Sequence, residues 1–505
     1  MTPFEPSLFG ENAVFHTTFE RFGSLMTFAA STEAQALTHA DLEAEINLRG
    51  RAILQQAMSD HFALRAKNER RLAHVEDAQG ILHTTQEPDH TRPLVTIFGP
   101  IPVTRIAYRH KGTANLYPAD HVANLPTEKY SHGLREIAAR EATQGSFDSA
   151  VDAIAQQTGQ RLGKRQVEQL AQKAAVDVDT FYAQHPRPLA AAQQALVVSV
   201  DGKGIVMRRD SLRPSTAKVG KAGHKLQTRL SAGEKRGRKR LAEVGAVYDV
   251  IPVVRTSTDI LQKNPADSAT PKMPGPKAQH KWLTASVVHD AGTVIDTVME
   301  EAERRDPTHD RPWVALVDGN NDQIRHLQAE AHQRQIDLTL FIDFIHVLEY
   351  LWRAAWCFFV AGDPQAETWV LAQGLAILSG KSSRVAAAIR RKATTLHLTT
   401  DQRQAADRCA DYLLHKRAWL DYPTALARGW PIATGIIEGA CRHLVKDRFD
   451  ITGARWGLAG AEAIVKLGAV WSNGNWTTYW AYHLAQEQQR VHCSRYATSP
   501  HSRAA

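Results

Sequence analysis

Apolar residues recur at helical spacing through HADLEAEINLRGRAILQQAMSDHFALRAKNERRLAHVE, so residues 1–90 read as a mainly helical region. Its long helix either pairs with another helix or simply faces solvent. PLVTIFGPIPVTRIAYRH then alternates apolar and polar positions about a Gly99-Pro100 turn, as a hairpin does. In GSFDSAVDAIAQQTGQRLGKRQVEQLAQKAAVDV, Ser146 stands as an N-cap and Ala150, Ile154 and Ala155 as a short apolar stripe. Gly159 and Gly163 act as breakers, and a second helix starts near Lys164. Two short helices about a glycine turn fit a helix-turn-helix that turns Lys164, Arg165 and Gln166 toward phosphates or base edges. They fit equally a helical hairpin that binds nothing.

Beyond HPRPL, a linker at 185–189, the pattern changes to strands. ALVVSVDGKG is a buried strand ending on Asp201. GIVMRR and GAVYDVIPVV follow as antiparallel neighbours, with a basic block between them. NPADSATPKMPGPK is a Pro-rich loop. WLTASVVHD is another strand, and GTVIDTVMEEAERR is a helix or a strand running into one. WVALVDGN is a second buried strand ending on an acid, Asp318. DQIRHLQAEAHQRQ is a helix, and LTLFIDFIHV is a third buried strand. From about 348 to 430 the pattern is all-helical, and Glu438 follows it. Strands mixed with helices place the chain in the α/β class.

Charge changes this picture in one place. The net charge is +8, but residues 201–240 alone hold thirteen Lys or Arg against three Asp or Glu, so the rest of the chain is slightly acidic. Such a block points to a polyanion such as nucleic acid, or to a solvated loop. Within it Lys203, Lys235, Arg236, Arg238, Lys239 and Arg240 are the candidate phosphate contacts. The block is expected to project as an extended loop or ribbon. The four cysteines, Cys357, Cys409, Cys441 and Cys493, form no CxxC pair, which argues against a zinc ribbon and fits a reducing compartment. The N-terminal segment lacks the basic-then-apolar pattern of a signal peptide, and no run is long and apolar enough for a membrane span. A cytoplasmic, nucleoid-associated protein is the expectation.

Two strands each run into an acid followed by glycine, Asp201-Gly202 and Asp318-Gly319, and a third acid, Glu438, heads the helical stretch GIIEGACRHLVKDR. Sites in open α/β sheets form beyond the carboxyl ends of strands, and glycine there lets a ligand approach the backbone. Three converging carboxylates suit hard divalent cations that also take phosphate oxygens. Arg442 and Lys446 fall at i+4 and i+8 from Glu438, placing cations for DNA on its stripe, and Arg448 follows. The plainer readings are turn-capping aspartates and a Glu438–Arg442 helix salt bridge. The rings of WSNGNWTTYW either stack on unpaired bases or pack a core, and core packing is the better expectation.

SVDGKG, LVDGN, DFIHVLEYLW and IEGACRHLVKDRFDITGARWG resemble the catalytic blocks of ISKra-type insertion-sequence transposases, and YSHGLREIAAREATQGSFDSAVDAIAQQTG resembles their upstream part. The likeness covers about residues 90–480. It implies an RNase H-like Asp-Asp-Glu mixed-sheet core that cuts and joins DNA with Mg²⁺ or Mn²⁺, two ions being expected. It maps catalysis and metal binding to Asp201, Asp318 and Glu438. The stretch 348–430 resembles the helical insertion of Mutator-like transposases, and DFIH resembles their Cys/Asp-x-x-His element. That makes Asp343 the rival second acid and His346 an accessory group. The chain has no cysteine before Cys357, so the zinc module of some relatives is not expected.

The expected organisation is a helical N-terminal region (1–90) and a hairpin plus helix-turn-helix-like DNA-binding region (91–190). A first core part (191–347), the helical insertion (348–430), a second core part (431–480) and a C-terminal tail (481–505) follow. The implied partners are transposon-end and target DNA, with a homo-oligomer on DNA. The alternatives are an RNase H-like nuclease and a non-catalytic DNA-binding regulator on the same scaffold.

Overall fold

The computed structural model describes residues 14–187, 190–222, 236–261, 273–451 and 454–497. The chain divides into two compact units, Met1–Ala183 with Asn475–Ala505, and Gln184–Gly474.

The first unit opens with α1 (His16–Ala29), α2 (Thr32–Ala36) and α3 (His39–Lys67). Ser31 and Thr38 cap α2 and α3, accepting the amides of Ala34 and Asp41. Leu25, Phe28 and Ala34 form a small core with Leu42 and Ile53. The helical reading of 1–90 stops at Lys67. β1 (Val75–Glu76) and β2 (Leu82–His83) pair next, and β3 (Thr85–Thr96) and β4 (Gly99–Arg109) form the expected hairpin. Its turn is Ile97-Phe98, because Thr96 pairs with Gly99; the Gly-Pro pair opens β4 instead. Gly99 has φ +142°, and a Cβ there would meet the Gln55 side chain at 2.6 Å, so α3 lies directly against the turn.

The remaining helices of this part are α4 (Pro118–Val122), α5 (His132–Gln144), α6 (Phe147–Thr158), α7 (Lys164–Ala174) and α8 (Val178–Gln184). Ser146 caps α6 as expected, accepting the Ser149 amide, and α6 ends on Gly159 in the left-handed conformation (φ +72°). The C-terminal segment is not a tail. Helix Trp476–Val491 packs into this unit, burying Trp476, Tyr479 and Trp480, so these rings serve as core. Its Glu487 lies 3.0 Å from Arg135, which is fully buried on α5 and also bonds Glu128. His483 lies 2.7 Å from Asp177.

The second unit is a five-stranded mixed sheet with helices, ordered β7-β6-β5-β8-β9. β5 spans Ala195–Val206, β6 Lys239–Val250, β7 Ala278–Ser286, β8 Trp313–Val317 and β9 Leu338–Ile342. Asp201 does not end its strand. β5 stays paired with β6 through Val206, absorbing GIVMRR as far as Val206, while its parallel pairing with β8 stops at Ser199. The carboxylate therefore sits where β5 outruns one neighbour. Of the basic block, α9 (Pro214–Ala222) is a helix and Lys239-Arg240 begin β6, so the expected ribbon is not what these residues form. Residues 223–235, Lys235 among them, and the Arg236 side chain lie outside the described residues, as does most of the Pro-rich loop.

After α10 (Ser257–Ile260) and β7, α11 (Ala291–Arg305) begins at an Asp290 cap and is helical throughout. It packs so closely on the sheet that a Cβ on Gly245 would lie 2.3 Å from Val298. Asp201 pairs with Val244, whose side chain alternates with Gly245, so Asp201 projects from the opposite face. After α12 (Asn321–Gln333), the third buried strand stops at Ile342, and the rest of LTLFIDFIHV opens α13 (Phe344–Ala355). α14 (Pro364–Leu378), α15 (Ser382–Thr395), α16 (Thr400–His415) and α17 (Tyr422–Ala427) complete the expected helical stretch. Glu438 lies on α18 (Gly435–Ala440). A π-helical turn, Cys441–Lys446, follows, then α19 (Asp447–Phe449) and α20 (Leu458–Ser472).

Candidate active site

Four acids that are far apart in sequence line one cleft of about 320 Å³ in the second unit: Asp201, Asp318, Asp343 and Glu438. Lys203, Arg442 and Lys446 line it too, with His346, Thr434 and Cys441.

Each acid is placed by a local device. Asp201 extends from β5 beyond its last parallel pair, and its Oδ1 accepts the Gly202 amide at 2.7 Å. Asp318 follows β8, and its Oδ1 accepts the Asn320 amide at 2.8 Å in the turn that starts α12. Asp343 caps α13. It is 1% exposed, accepts the Ile345 amide at 2.8 Å on Oδ1, and receives the Thr434 hydroxyl on Oδ2. Glu438 lies in the first turn of α18 and is exposed.

The acids act on one another. Burial pushes the Asp201 carboxyl up, and the Asp318 carboxylate adds to this against the opposing Cys441 and Gly202 hydrogen bonds. Burial also pushes Glu438 up, followed by Asp343, Asp201 and Glu349, while His346 opposes them. Such mutual repulsion is relieved by protons or by a bound cation. Asp343 spends its two oxygens on a helix amide and a hydroxyl, whereas Asp318 faces the cleft from a turn. That division favours Asp318 over Asp343 as a ligand.

The donor types fit Mg²⁺ or Mn²⁺, which prefer carboxylate oxygen. The spacing is wider: among the described residues no three His, Cys, Asp or Glu side chains lie close enough together to hold a metal ion.

The expected cations separate into three groups. Lys203, Arg442 and Lys446 are exposed at the cleft. A π turn interrupts the helix after Ala440, yet Glu438, Arg442 and Lys446 still line the same cleft, and Arg442 lies 3.5 Å from Asp447. Arg448 is 3% exposed, with its guanidinium 4.6 Å over the Trp456 ring; burial lowers its pKa to about 10. It belongs to the core and not to a phosphate surface. Arg240 also has a structural post, donating to the carbonyls of Val287 at 2.6 Å, Val288 at 3.0 Å and Ser211 at 3.4 Å. Arg238, in the 3-10 turn before β6, and Lys239, which opens β6, are half-buried, and the Lys239 stem lies across Gly204. Lys164 and Arg165 are exposed and Gln166 half-buried on α7 in the other unit, where Lys164 lies 2.5 Å from Asp148.

His346 sits on the first turn of α13 and not at a strand end, 3.9 Å from Glu349 and against the Tyr350 ring. Sequence reasoning missed Cys441 and Thr434. Cys441 hydrogen-bonds Asp201, and burial first, then Asp201, pushes its thiol up, so it stays a neutral donor. Only its position three residues after Glu438 hinted at this. Thr434 donates to Asp343, a link between segments 91 residues apart that no spacing announces.

Compared with models of known protein families and with curated proteins, the chain matches none.

Proposed function

We propose that the chain is a DNA transposase of a bacterial insertion sequence, built on an RNase H-like core, that cleaves element ends and joins them to target DNA. The observation that carries the reading is the cleft in which Asp201, Asp318, Asp343 and Glu438 meet beside Lys203, Arg442 and Lys446. Acids facing one cleft raise one another's pKa, and the exposed cations at the rim suit a phosphodiester backbone. Asp201, Asp318 and Glu438 are the residues that would hold Mg²⁺ or Mn²⁺, which would supply Lewis-acid activation of the nucleophile and offset charge on phosphate. Lys203, Arg442 and Lys446 hold the DNA backbone, and Asp343 fixes α13 and Thr434 behind the site. On α7, Lys164 and Arg165 supply further phosphate contacts.

A second reading rests on the wide spacing of the acids: a DNA-binding protein on the same scaffold that does not cut. Assaying the full chain on DNA carrying its element ends, with Mg²⁺ or Mn²⁺, separates them. Strand joining that is lost in Asp201→Asn and Glu438→Gln supports the transposase; cutting without joining points to a nuclease. Binding without either reaction in the wild-type protein overturns the enzymatic reading.

A further inference from the structure

The turn that carries Asp318 is held from the helical stretch. The Tyr412 hydroxyl, on α16, donates to the Asp318 carbonyl at 3.2 Å. Gly319 next to it has φ +96°, and a Cβ there would lie 2.6 Å from the same hydroxyl, so the turn and the phenol leave no room for a side chain between them. The Tyr412 ring stacks on Tyr350, with centroids 4.0 Å apart and planes 12° apart. Tyr350 sits on α13, the helix whose first turn brings Asp343 and His346 to the cleft. Just past the end of α16, the buried Lys416 bonds the Asn321 side chain and is attracted to Asp318. Burial pushes the Tyr412 hydroxyl up, with Tyr350, Asp318 and Asp343 adding to it, so it remains a donor.

A hydroxyl on the Asp318 carbonyl, the ring stacked behind it and a buried ammonium on Asn321 thus converge where β8 passes into α12. A carboxylate on an unsupported turn has several rotamers and several backbone positions. One whose carbonyl is held by a braced hydroxyl has fewer, and holding of ligand-bearing groups by their neighbours raises metal affinity. We propose that Tyr412, braced by Tyr350 and assisted by Lys416, is a positioning residue that sets the Asp318 carboxylate for cation binding. The proposal rests on the active-site reading above. It gives the helical stretch a role in the site itself, since it joins α13 and α16 to the loop after β8.

The test is titration of the full chain with MnCl₂ in the absence of DNA, followed by the paramagnetic resonance of free Mn²⁺, with strand transfer measured on the same preparations. Tyr412→Phe keeps the ring and the stack and removes only the hydroxyl. It should weaken Mn²⁺ binding roughly tenfold, the scale of losing an outer support of a metal ligand, and shift the Mn²⁺ dependence of strand transfer to higher concentration. Asp318→Asn should lose the site. If Asp318→Asn loses Mn²⁺ while folded Tyr412→Phe binds it as the wild type does, the positioning role is overturned and the active-site reading stands. If the wild type binds no Mn²⁺, or Asp318→Asn binds it unchanged, the active-site reading fails and the proposal with it. Should Tyr412→Phe fail to fold, Lys416→Met decides by the same titration: weaker binding supports the clamp, unchanged binding overturns it.

Discussion

Thr434 donates its hydroxyl to Oδ2 of Asp343, and its carbonyl accepts the amide of Glu438 at 3.0 Å. One residue therefore ties the cap of α13 to the helix that presents Glu438. Both partners of the side-chain bond are buried, at 4% and 1% exposure. Thr434→Val keeps the shape and strands a buried carboxylate oxygen, which should cost about 1–3 kcal/mol. Thr434→Ser should recover most of it. Urea unfolding of the two variants checks this; equal stabilities would mean that the hydroxyl bond contributes nothing.

Glu438→Gln retains size and removes charge from an exposed position, so the fold should be unaffected. End-DNA binding should persist while strand transfer drops roughly 10²–10³-fold, the scale of removing one charge-stabilising group from a reacting centre. Gel-shift and joining assays on the same protein give both numbers. Joining at a near-normal rate would take Glu438 out of the chemistry.

The three cleft cations and Arg240 should behave differently. Replacing Lys203, Arg442 and Lys446 together by Ala should flatten the dependence of log affinity on log salt by up to about three units, one for each lost phosphate contact. Arg240→Ala abandons three carbonyls and should cost about 1–3 kcal/mol of stability, with the salt slope unchanged. Binding isotherms at several NaCl concentrations, beside thermal melts, distinguish the two effects.

Glu243 offers a test by pH. It lies in β6 opposite Gly202, and burial raises its pKa to about 7; Asp201 and Asp290 add to this and Arg213 opposes it. The folded state therefore holds this proton more tightly than the unfolded chain, whose carboxyl titrates near 4.5. The associated stability is complete below pH 4.5 and is lost as pH rises through 7, a change on the order of 3 kcal/mol. Glu243→Gln mimics the protonated form, so it should melt near the wild type at pH 5 and above it at pH 8. Parallel wild-type and variant curves across that range would contradict the assignment.

In the other unit, Arg135 is completely buried between Glu128 and Glu487. Arg135→Ala leaves those carboxylates without their shared cation and should cost about 3–5 kcal/mol. Chemical denaturation measures it, and a loss below about 1 kcal/mol would show that the remaining partners compensate.

Much of this architecture was legible from neighbouring residues. Ser146 as cap, Gly159 as stop and Lys164 as start need only backbone groups within a few positions. The same holds for the hairpin of β3 and β4, for the apolar runs of β5, β8 and β9, and for the helices from α13 to α17. The acids after β8 and on β5 stood out because a charge at the end of an apolar run is costly unless it faces solvent or a ligand.

What local pattern does not hold is the identity of distant partners. β5 passes Asp201 because β6, beginning 38 residues further on, continues to pair with it. Arg448 is in the core because it falls away from the Arg442 side of the helix and Trp456 supplies a ring for its guanidinium. Arg240 became structural because Ser211, Val287 and Val288 bring their carbonyls to it. The C-terminal residues form a packed helix because Arg135 and Asp177, some three hundred residues upstream, supply its buried charge partners. The sequence by itself determined most of the capped helices and apolar strands and which acids are conspicuous, since capping and periodicity act over one or two turns. Only the tertiary structure decided which acids share a cleft and which cations remain at its rim, since pairing and helix phase depend on contacts across the whole chain.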